Sequence, residues 1–333
     1  MNRTFIIAEA GVNHNGDLPT ALEMVRVAKE CGVDAVKFQT FQVDELVSEN
    51  AAMADYQKKN LASEHTNSQK EMLSRLALED SDFGKIADFC GEIGIRFLST
   101  PFDVESIHFL SPMQDLWKIP SGSVTDYPYL VEVAKTGKEI ILSTGMCTMD
   151  EVHEAWDVLK KNGCGEITLL HCTTEYPAPL ETVNLKAMHT LQDEFGCPVG
   201  YSDHTKGIEV PIAAVAMGAT VIEKHFTLDR NMEGPDHAAS LEPKELKAMV
   251  DAIRSVETAI GDGRKNPSEA ELKNRIAARK SIVAKCDIAC GDILSEENLT
   301  TKRPGNGISP MLWNEVIGKK AIRDFKMDEL IEI

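Results

Sequence analysis

Short apolar runs rich in β-branched residues recur at 4–8, 35–38, 96–99, 116–119, 140–143, 167–171, 199–202 and 221–225, each of the length of a buried strand. Between them apolar positions fall three and four apart, as in Ala21, Met24, Val25 and Ala28, or Val152, Ala155, Trp156 and Leu159, which is the period of a helix with one buried face. Strand and helix alternating eight times predict an α/β chain folded as a (β/α)8 TIM barrel. The competing architecture, an open doubly wound sheet, usually has fewer strands and a Gly-rich phosphate loop that this sequence lacks.

Three stretches break the alternation. The interval from Gln39 to Arg96 is too long for one strand–helix unit and carries Tyr56-Gln57-Lys58-Lys59-Asn60, a polar stretch, then Glu71-Met72-Leu73. It reads as an inserted helical lid over the barrel mouth, the face on which insertions serve substrate. A helix predicted over Pro243–Ile260 is followed by the turn-rich Gly261-Asp262-Gly263-Arg264-Lys265-Asn266-Pro267 and then a charged segment. Beyond it come short strands such as Ser281-Ile282-Val283-Ala284, Gly and Asp turns, and the loop Lys302-Arg303-Pro304-Gly305-Asn306-Gly307. The expected organisation is a catalytic barrel over 1–265, a linker over 266–280 and a small β-rich domain over 281–333. A domain of that size is expected to pack against the barrel or another chain.

Composition narrows the function classes. Hydrophobic residues at 43% and charged residues at 26% are ordinary for a soluble globule. No apolar run approaches the ~20 residues that cross a bilayer. The first residues, Met1-Asn2-Arg3-Thr4 and Phe5-Ile6-Ile7-Ala8-Glu9, hold too short an apolar stretch for a signal peptide, so a cytoplasmic location without a membrane partner is expected. Eight cysteines without a C-x-x-C pair read as reduced thiols. The net charge of -18 argues against nucleic acid as partner. It leaves a small anionic substrate open, because exposed charges beyond a Debye length of ~8 Å are screened and local lysines govern a site.

Reactive groups of a barrel stand at the C-terminal ends of its strands, where polar residues here interrupt the apolar runs. They are Glu9, Lys37 and Gln39, Ser99 and Thr100, Lys118 with Ser121, Ser143 and Thr144, residues 171–174, Ser202-Asp203-His204 and Glu223-Lys224-His225. A lysine inside a buried strand needs an anion, since an unpaired ammonium there costs several kcal/mol or loses its proton. For Lys37 or Lys118 alone a salt bridge to a carboxylate such as Glu9 suffices. Two lysines converging with the hydroxyls of Thr100, Ser121, Ser143 and Ser202 point to a bound phosphate or carboxylate. His204 and His225 end consecutive strands, so their imidazoles can share one divalent ion such as Mn²⁺, although a lone barrel histidine is more often a hydrogen-bonded core residue. Asp203 reads equally as an orienting partner of His204 or as the N-cap of the next helix. Asp236, in the turn Gly234-Pro235-Asp236-His237, reads as an acceptor for a hydroxyl, and Arg303 as a fork of donors or a solvated surface arginine. His14, His171 and His237 are further candidates for substrate contacts.

These stretches together resemble the sialic acid synthases. The resemblance is carried by Ala8-Glu9-Ala10-Gly11-Val12-Asn13-His14-Asn15-Gly16, Val36-Lys37-Phe38-Gln39-Thr40, Ser99-Thr100-Pro101-Phe102-Asp103, Trp117-Lys118-Ile119-Pro120-Ser121-Gly122, Ser143-Thr144-Gly145-Met146, Leu170-His171-Cys172-Thr173, Tyr201-Ser202-Asp203-His204-Thr205, Glu223-Lys224-His225-Phe226-Thr227 and the Lys302 to Gly307 loop. It implies a barrel followed by an antifreeze-like (SAF) domain, in a domain-swapped homodimer whose small domains each cap the other copy's active site. By motif position, Lys37, Thr100, Lys118, Ser121, Ser143, Thr174 and Ser202 would hold phosphoenolpyruvate, with Thr174 standing where some relatives carry Asn. Glu9, His204 and His225 would be catalytic, the two histidines holding Mn²⁺ or Mg²⁺. Gln39, Ser123, Tyr176, Asp236 and the partner's Arg303 would contact an N-acetylated amino sugar. One departure is Ser123, where the family usually carries an acid. A serine cannot take a proton at neutral pH, so base work would fall to Glu9 or to water activated by the metal.

The implied reaction joins carbon 3 of phosphoenolpyruvate to the open-chain sugar aldehyde, adds water at carbon 2 and releases phosphate by C–O cleavage. N-acetylmannosamine, giving N-acetylneuraminate, is the preferred sugar, and 2,4-diacetamido-2,4,6-trideoxymannose, giving legionaminate, is the alternative. The rivals are other phosphoenolpyruvate aldol synthases, a sugar-acid lyase using a strand lysine as a Schiff base, and a carbohydrate-binding protein without catalysis.

Overall fold

The eight apolar runs form eight parallel strands: β1 (Phe5–Gly11), β2 (Ala35–Thr40), β3 (Arg96–Pro101), β4 (Leu116–Ile119), β5 (Glu139–Ser143), β6 (Ile167–Cys172), β7 (Val199–Asp203) and β8 (Val221–His225). Their hydrogen-bonded order, β3-β2-β1-β8-β7-β6-β5-β4, brings the first strand against the last, as a barrel requires. The computed structural model describes residues 3–48, 51–53, 57 and 68–333. Tyr56, Lys58, Lys59 and Asn60 of the expected lid lie outside the described residues.

The helices of the first unit are α1 (Leu18–Cys31), α2 (Val43–Leu46), α3 (Gln69–Leu76), α4 (Asp80–Ile93), α5 (Val104–Leu110), α6 (Tyr127–Lys135), α7 (Met149–Lys161), α8 (Ala187–Phe195), α9 (Glu209–Ala216) and α10 (Pro243–Ile260). Their local signals are legible. In α1 the Asp17 side chain accepts from the Thr20 N–H, a proline opens the first turn, and Gly32 at φ 83 ends it. In α7 Thr148 and Glu151 form a capping box, and Val152, Ala155 and Leu159 are the buried stripe against the sheet.

Inside the barrel the period of two produces layers. Ile7, Ala35, Leu98, Leu116, Ile141, Leu170 and Val221 form one apolar cluster, each from a different strand. The remaining strand, β7, supplies Gly200, where a Cβ would meet the Val221 carbonyl oxygen at 2.3 Å and a Leu170 methyl at 2.6 Å. The floor of the barrel is therefore packed shut, and the open mouth is one layer up.

The chain divides into two compact units, Met1–Asp262 and Gly263–Ile333. The segment expected as a linker is a helix, α11 (Glu269–Ala278), capped by a Ser268–Glu271 box and buried nowhere along its length. The second unit holds one antiparallel pair, β9 (Ser281–Ala284) with β10 (Leu299–Lys302), isolated bridges, and the short α12 (Trp313–Val316) around a core that includes Ile282, Leu294, Leu299, Phe325 and Ile331. No helix among the described residues is long and apolar enough to cross a membrane.

Candidate active site

Two residues beyond the apolar floor, the same eight strands present Glu9, Lys37, Thr100, Lys118, Ser143, Cys172, Ser202 and Glu223. All eight line one cavity of about 560 Å³. The strand period alone puts them there, since side chains at i and i+2 share a face. Gln39, Ser121, Thr174, Tyr176, His204, His225 and Asp236 complete the inner wall. The outer wall comes from the inserted region, with Phe41, Leu46, Val47, Met72, Leu73 and Leu76 interleaved with Gln57 and Gln69, and from Phe102 just after β3.

Four charges lie at the bottom. The Lys37 ammonium is 2.6 Å from Glu9 Oε2 and 3.9 Å from Glu223 Oε2, and it donates to Thr100 Oγ1 at 2.9 Å. The Lys118 ammonium donates to the Ile119 carbonyl and is 3.7 Å from Glu223 Oε1, which also accepts from the Ser202 hydroxyl at 3.1 Å. Burial pushes the Glu9 carboxyl up to about 7, against the pull of Lys37 and with the push of Glu223. Burial also pushes Glu223 up, but Lys118 and Lys37 outweigh it and hold that carboxyl below its ordinary range. The lysines divide in the same way. Burial opposes the charge on Lys37, yet Glu223 and Glu9 raise it, whereas burial wins at Lys118 and lowers it. Lys118 is thus the cation with the least compensation, and an entering anion gains most from it.

Hydroxyls surround these lysines. The Ser143 hydroxyl is buried without a hydrogen-bond partner. Ser121 Oγ accepts from the Gly145 N–H at 2.8 Å. A Cβ at Gly145 would meet Cys172 Sγ at 2.6 Å and Ser121 Oγ at 2.9 Å, so only glycine lets that backbone approach.

His204 and His225 stand together, ring centroids 5.5 Å apart, with the Tyr176 ring 4.1 Å from the first and edge-on to the second at 5.8 Å. His204 Nδ1 donates to the Thr173 carbonyl at 2.7 Å, which leaves Nε2 with its lone pair. His225 Nδ1 is buried without a hydrogen-bond partner, 3.9 Å from Asp236 Oδ2. Burial lowers both imidazoles, and His204 with the nearby lysines lowers His225 further, so both rings are neutral at pH 7. Burial raises Asp236 to about 6. Two neutral imidazole nitrogens at a cavity wall suit a divalent ion that takes its other ligands from water or substrate. Among the described residues no cluster of three or more His, Cys, Asp or Glu is placed to hold one.

Most of the sequence-predicted residues thus gather around this cavity. Ser123 is buried in the turn Ser121–Ser123 and is not part of the cavity lining. Arg303 lies exposed in the second unit, its Nε donating to the Ala278 carbonyl. His14, His171 and His237 do not line this cavity. His14 is fully buried beside Phe38, and His237 bonds Thr227 Oγ1. The sequence analysis placed Glu223 and Cys172 at strand ends but gave neither a role in the site. The available signal was their position two residues after Val221 and Leu170.

The comparisons with known proteins agree with this geometry. The NeuB family model matches residues 24–265 and the SAF domain model residues 279–332. The N,N'-diacetyllegionaminic acid synthase of Campylobacter jejuni is 53% identical over 99% of this chain and 99% of its own length. That of Legionella pneumophila is 50% identical over 95% of this chain and 90% of its own. The crystal structure of an N-acetylneuraminic acid synthetase from Leptospira borgpetersenii superposes with a TM-score of 0.73 at 35% identity, covering 82% of this chain and 90% of that one. With a barrel whose polar layer carries the lysines, carboxylates and paired imidazoles read from the sequence, and with a SAF domain following it in the chain, this chain belongs to the NeuB family.

Proposed function

We propose that this chain condenses phosphoenolpyruvate with 2,4-diacetamido-2,4,6-trideoxymannose to give N,N'-diacetyllegionaminate and phosphate. One observation carries the phosphoenolpyruvate half: a sealed barrel floor topped by Lys118, undercompensated, and Lys37, with the hydroxyls of Thr100, Ser121, Ser143 and Ser202 around them. The choice of sugar departs from the N-acetylmannosamine preferred on sequence. Two relatives at 53% and 50% identity over nearly the whole chain are legionaminic acid synthases, and the outer wall is apolar with interleaved glutamine amides. Such a wall suits a 6-deoxy methyl and acetamido groups better than a 6-hydroxyl.

In this reading Lys118 and Lys37 hold the carboxylate and phosphate while the hydroxyls fix their orientation. Carbon 3 of phosphoenolpyruvate bonds to the aldehyde carbon, water adds at carbon 2, and the carbon 2–oxygen bond breaks to release phosphate. Glu9, which exchanges its proton near neutrality, receives one from the adding water. Asp236, Tyr176, Thr174 and Gln39 line the path the sugar takes to that carbon. His204 and His225 would hold Mn²⁺ or Mg²⁺, which when bound supplies Lewis-acid polarisation of an oxygen. The enzyme is taken to act as a homodimer in which the Arg303 loop reaches the other copy's sugar.

The deciding experiment incubates the purified chain and Mn²⁺ with phosphoenolpyruvate labelled with ¹⁸O at the bridging oxygen, offering each sugar separately. Labelled phosphate and a legionaminate mass with the diacetamido sugar, at kcat/KM at least tenfold above N-acetylmannosamine, support the proposal. The reverse preference overturns the sugar, and no phosphate with either sugar overturns the reaction. The lowered pKa of Lys118 also suits a Schiff base, so trapping of pyruvate on that lysine by borohydride would replace this mechanism with a lyase.

A further inference from the structure

Behind the cavity wall, a buried ion pair joins the two strands that carry the histidines. Asp203 in β7 and Lys224 in β8 are register partners. Side chains alternate along a strand, so these two point away from the barrel axis while Ser202, Glu223 and His225 face the cavity. Both side chains are 0% exposed. The Lys224 ammonium donates to Asp203 Oδ2 and to the Thr205 carbonyl. Asp203 Oδ1 accepts the Thr205 N–H at 3.0 Å, and Oδ2 accepts the Thr205 hydroxyl at 3.1 Å. Thr205 is therefore held through its N–H, its hydroxyl and its carbonyl. His204 lies between Asp203 and Thr205, and His225 follows Lys224. The alternative use of Asp203, as a helix N-cap, is not realised, because Ile208 occupies that position of α9.

An ion pair is a poor way simply to fill this space. Both charges are stripped of water, and apolar residues of similar volume are generally as stable or more so. An apolar pair, however, cannot hold the backbone of a strand end in a fixed direction from three sides. We infer that Lys224 and Asp203 are positioning residues, whose ion pair, clamped on Thr205, fixes the separation and facing of the His204 and His225 imidazoles. The inference rests on the reading that these imidazoles act together on one divalent ion.

The test is the double variant Asp203→Leu with Lys224→Met, which removes both charges and leaves neither unpaired. The expected result is a folded protein, by circular dichroism and thermal melting, whose Mn²⁺ affinity by titration calorimetry is weaker by about 10–100-fold. Its kcat falls by a similar factor, while KM for phosphoenolpyruvate stays within about twofold, because Lys37 and Lys118 sit on other strands and the inward-facing Ser202 and Glu223 keep their hydrogen bond to each other. A folded double variant with wild-type Mn²⁺ affinity and kcat overturns the inference. If the wild type itself binds no Mn²⁺, the metal reading fails separately, and the kcat of the double variant decides: unchanged overturns the positioning role, a tenfold loss at constant KM upholds it. If the double variant does not fold, Thr205→Val removes only the hydroxyl bond. A drop of about two- to fivefold in Mn²⁺ affinity or kcat is then expected, and no drop in either overturns the inference.

Discussion

Two rings of inward-facing residues, one strand period apart on the same eight strands, are built of different materials. The lower ring is Ile7, Ala35, Leu98, Leu116, Ile141, Leu170, Gly200 and Val221; the upper is Glu9, Lys37, Thr100, Lys118, Ser143, Cys172, Ser202 and Glu223. The lower ring gains roughly 25 cal/mol for each Å² of apolar surface it removes from water. The upper ring strips four charges of solvent and recovers only part of that through their mutual pairing. Stability and chemistry are thus assigned to successive layers, and the upper layer can be a poor core because the lower one is a good one.

The sharpest way to break this division is in the lower ring. Leu98 is 0% exposed, and Leu98→Ala is expected to cost about 2–5 kcal/mol in urea unfolding, the transfer and cavity terms together. The folded fraction should keep kcat/KM within about threefold. A variant that stays stable but loses turnover would show that the two rings are not separable.

The matching change one layer up has the opposite signature. Lys118→Met keeps the chain length and removes the ammonium, so kcat/KM for phosphoenolpyruvate should fall about 10²–10³-fold, or roughly 3–4 kcal/mol. Its melting temperature should fall no further than that of Leu98→Ala, because Glu223, which loses Lys118, keeps Lys37 at 3.9 Å or takes up a proton.

A titration separates the rings without a probe of activity. Glu9 has its carboxyl raised from an ordinary 4.5 to about 7, burial being the main cause. Its stabilising contribution is therefore fully present below pH 4.5 and is lost as pH rises from there through about 7, by up to about 3 kcal/mol. Thermal melts in EDTA across pH 4.5 to 8 should show this fall in the wild type and a flatter profile in Glu9→Gln. Equal slopes would mean that Glu9 ionises as it would in the unfolded chain.

Much of this was legible in one dimension, and the parts that were not share a cause. The eight runs marked the strands because a strand buried on both faces has nothing but apolar residues to show. Their ends were read short where polar site residues continue the strand, as at Glu9, Gln39 and Thr100, since those carry no apolar signal. Glu223 was visible as a residue, but its place between two lysines appears only when the strands close into a ring. The lid reading put Met72 and Leu73 over the barrel mouth, where they line the cavity, but their packing against Phe41 was unreadable, because nothing local says which side chain meets which strand end. The helix Glu269–Ala278 passed for a linker because it buries no stripe; the Ser268 and Glu271 spacing was its one signal.

Cys172 gives the finest test, since it is the one member of the upper ring that the composition of either ring would accept. Its thiol contacts Ser121 Oγ at 3.4 Å, and burial pushes its pKa up, so it is a neutral thiol at pH 7 and supplies no nucleophile. Cys172→Ser exchanges a weak donor for a good one with a partner already in reach, and it should change kcat/KM by less than about threefold, well under 1 kcal/mol. If the layer works through its charges and hydroxyls, polarity added here is neutral. A loss above tenfold would instead mean that the sulfur's bulk positions Ser121 and Gly145, and that shape rather than charge governs this side of the ring.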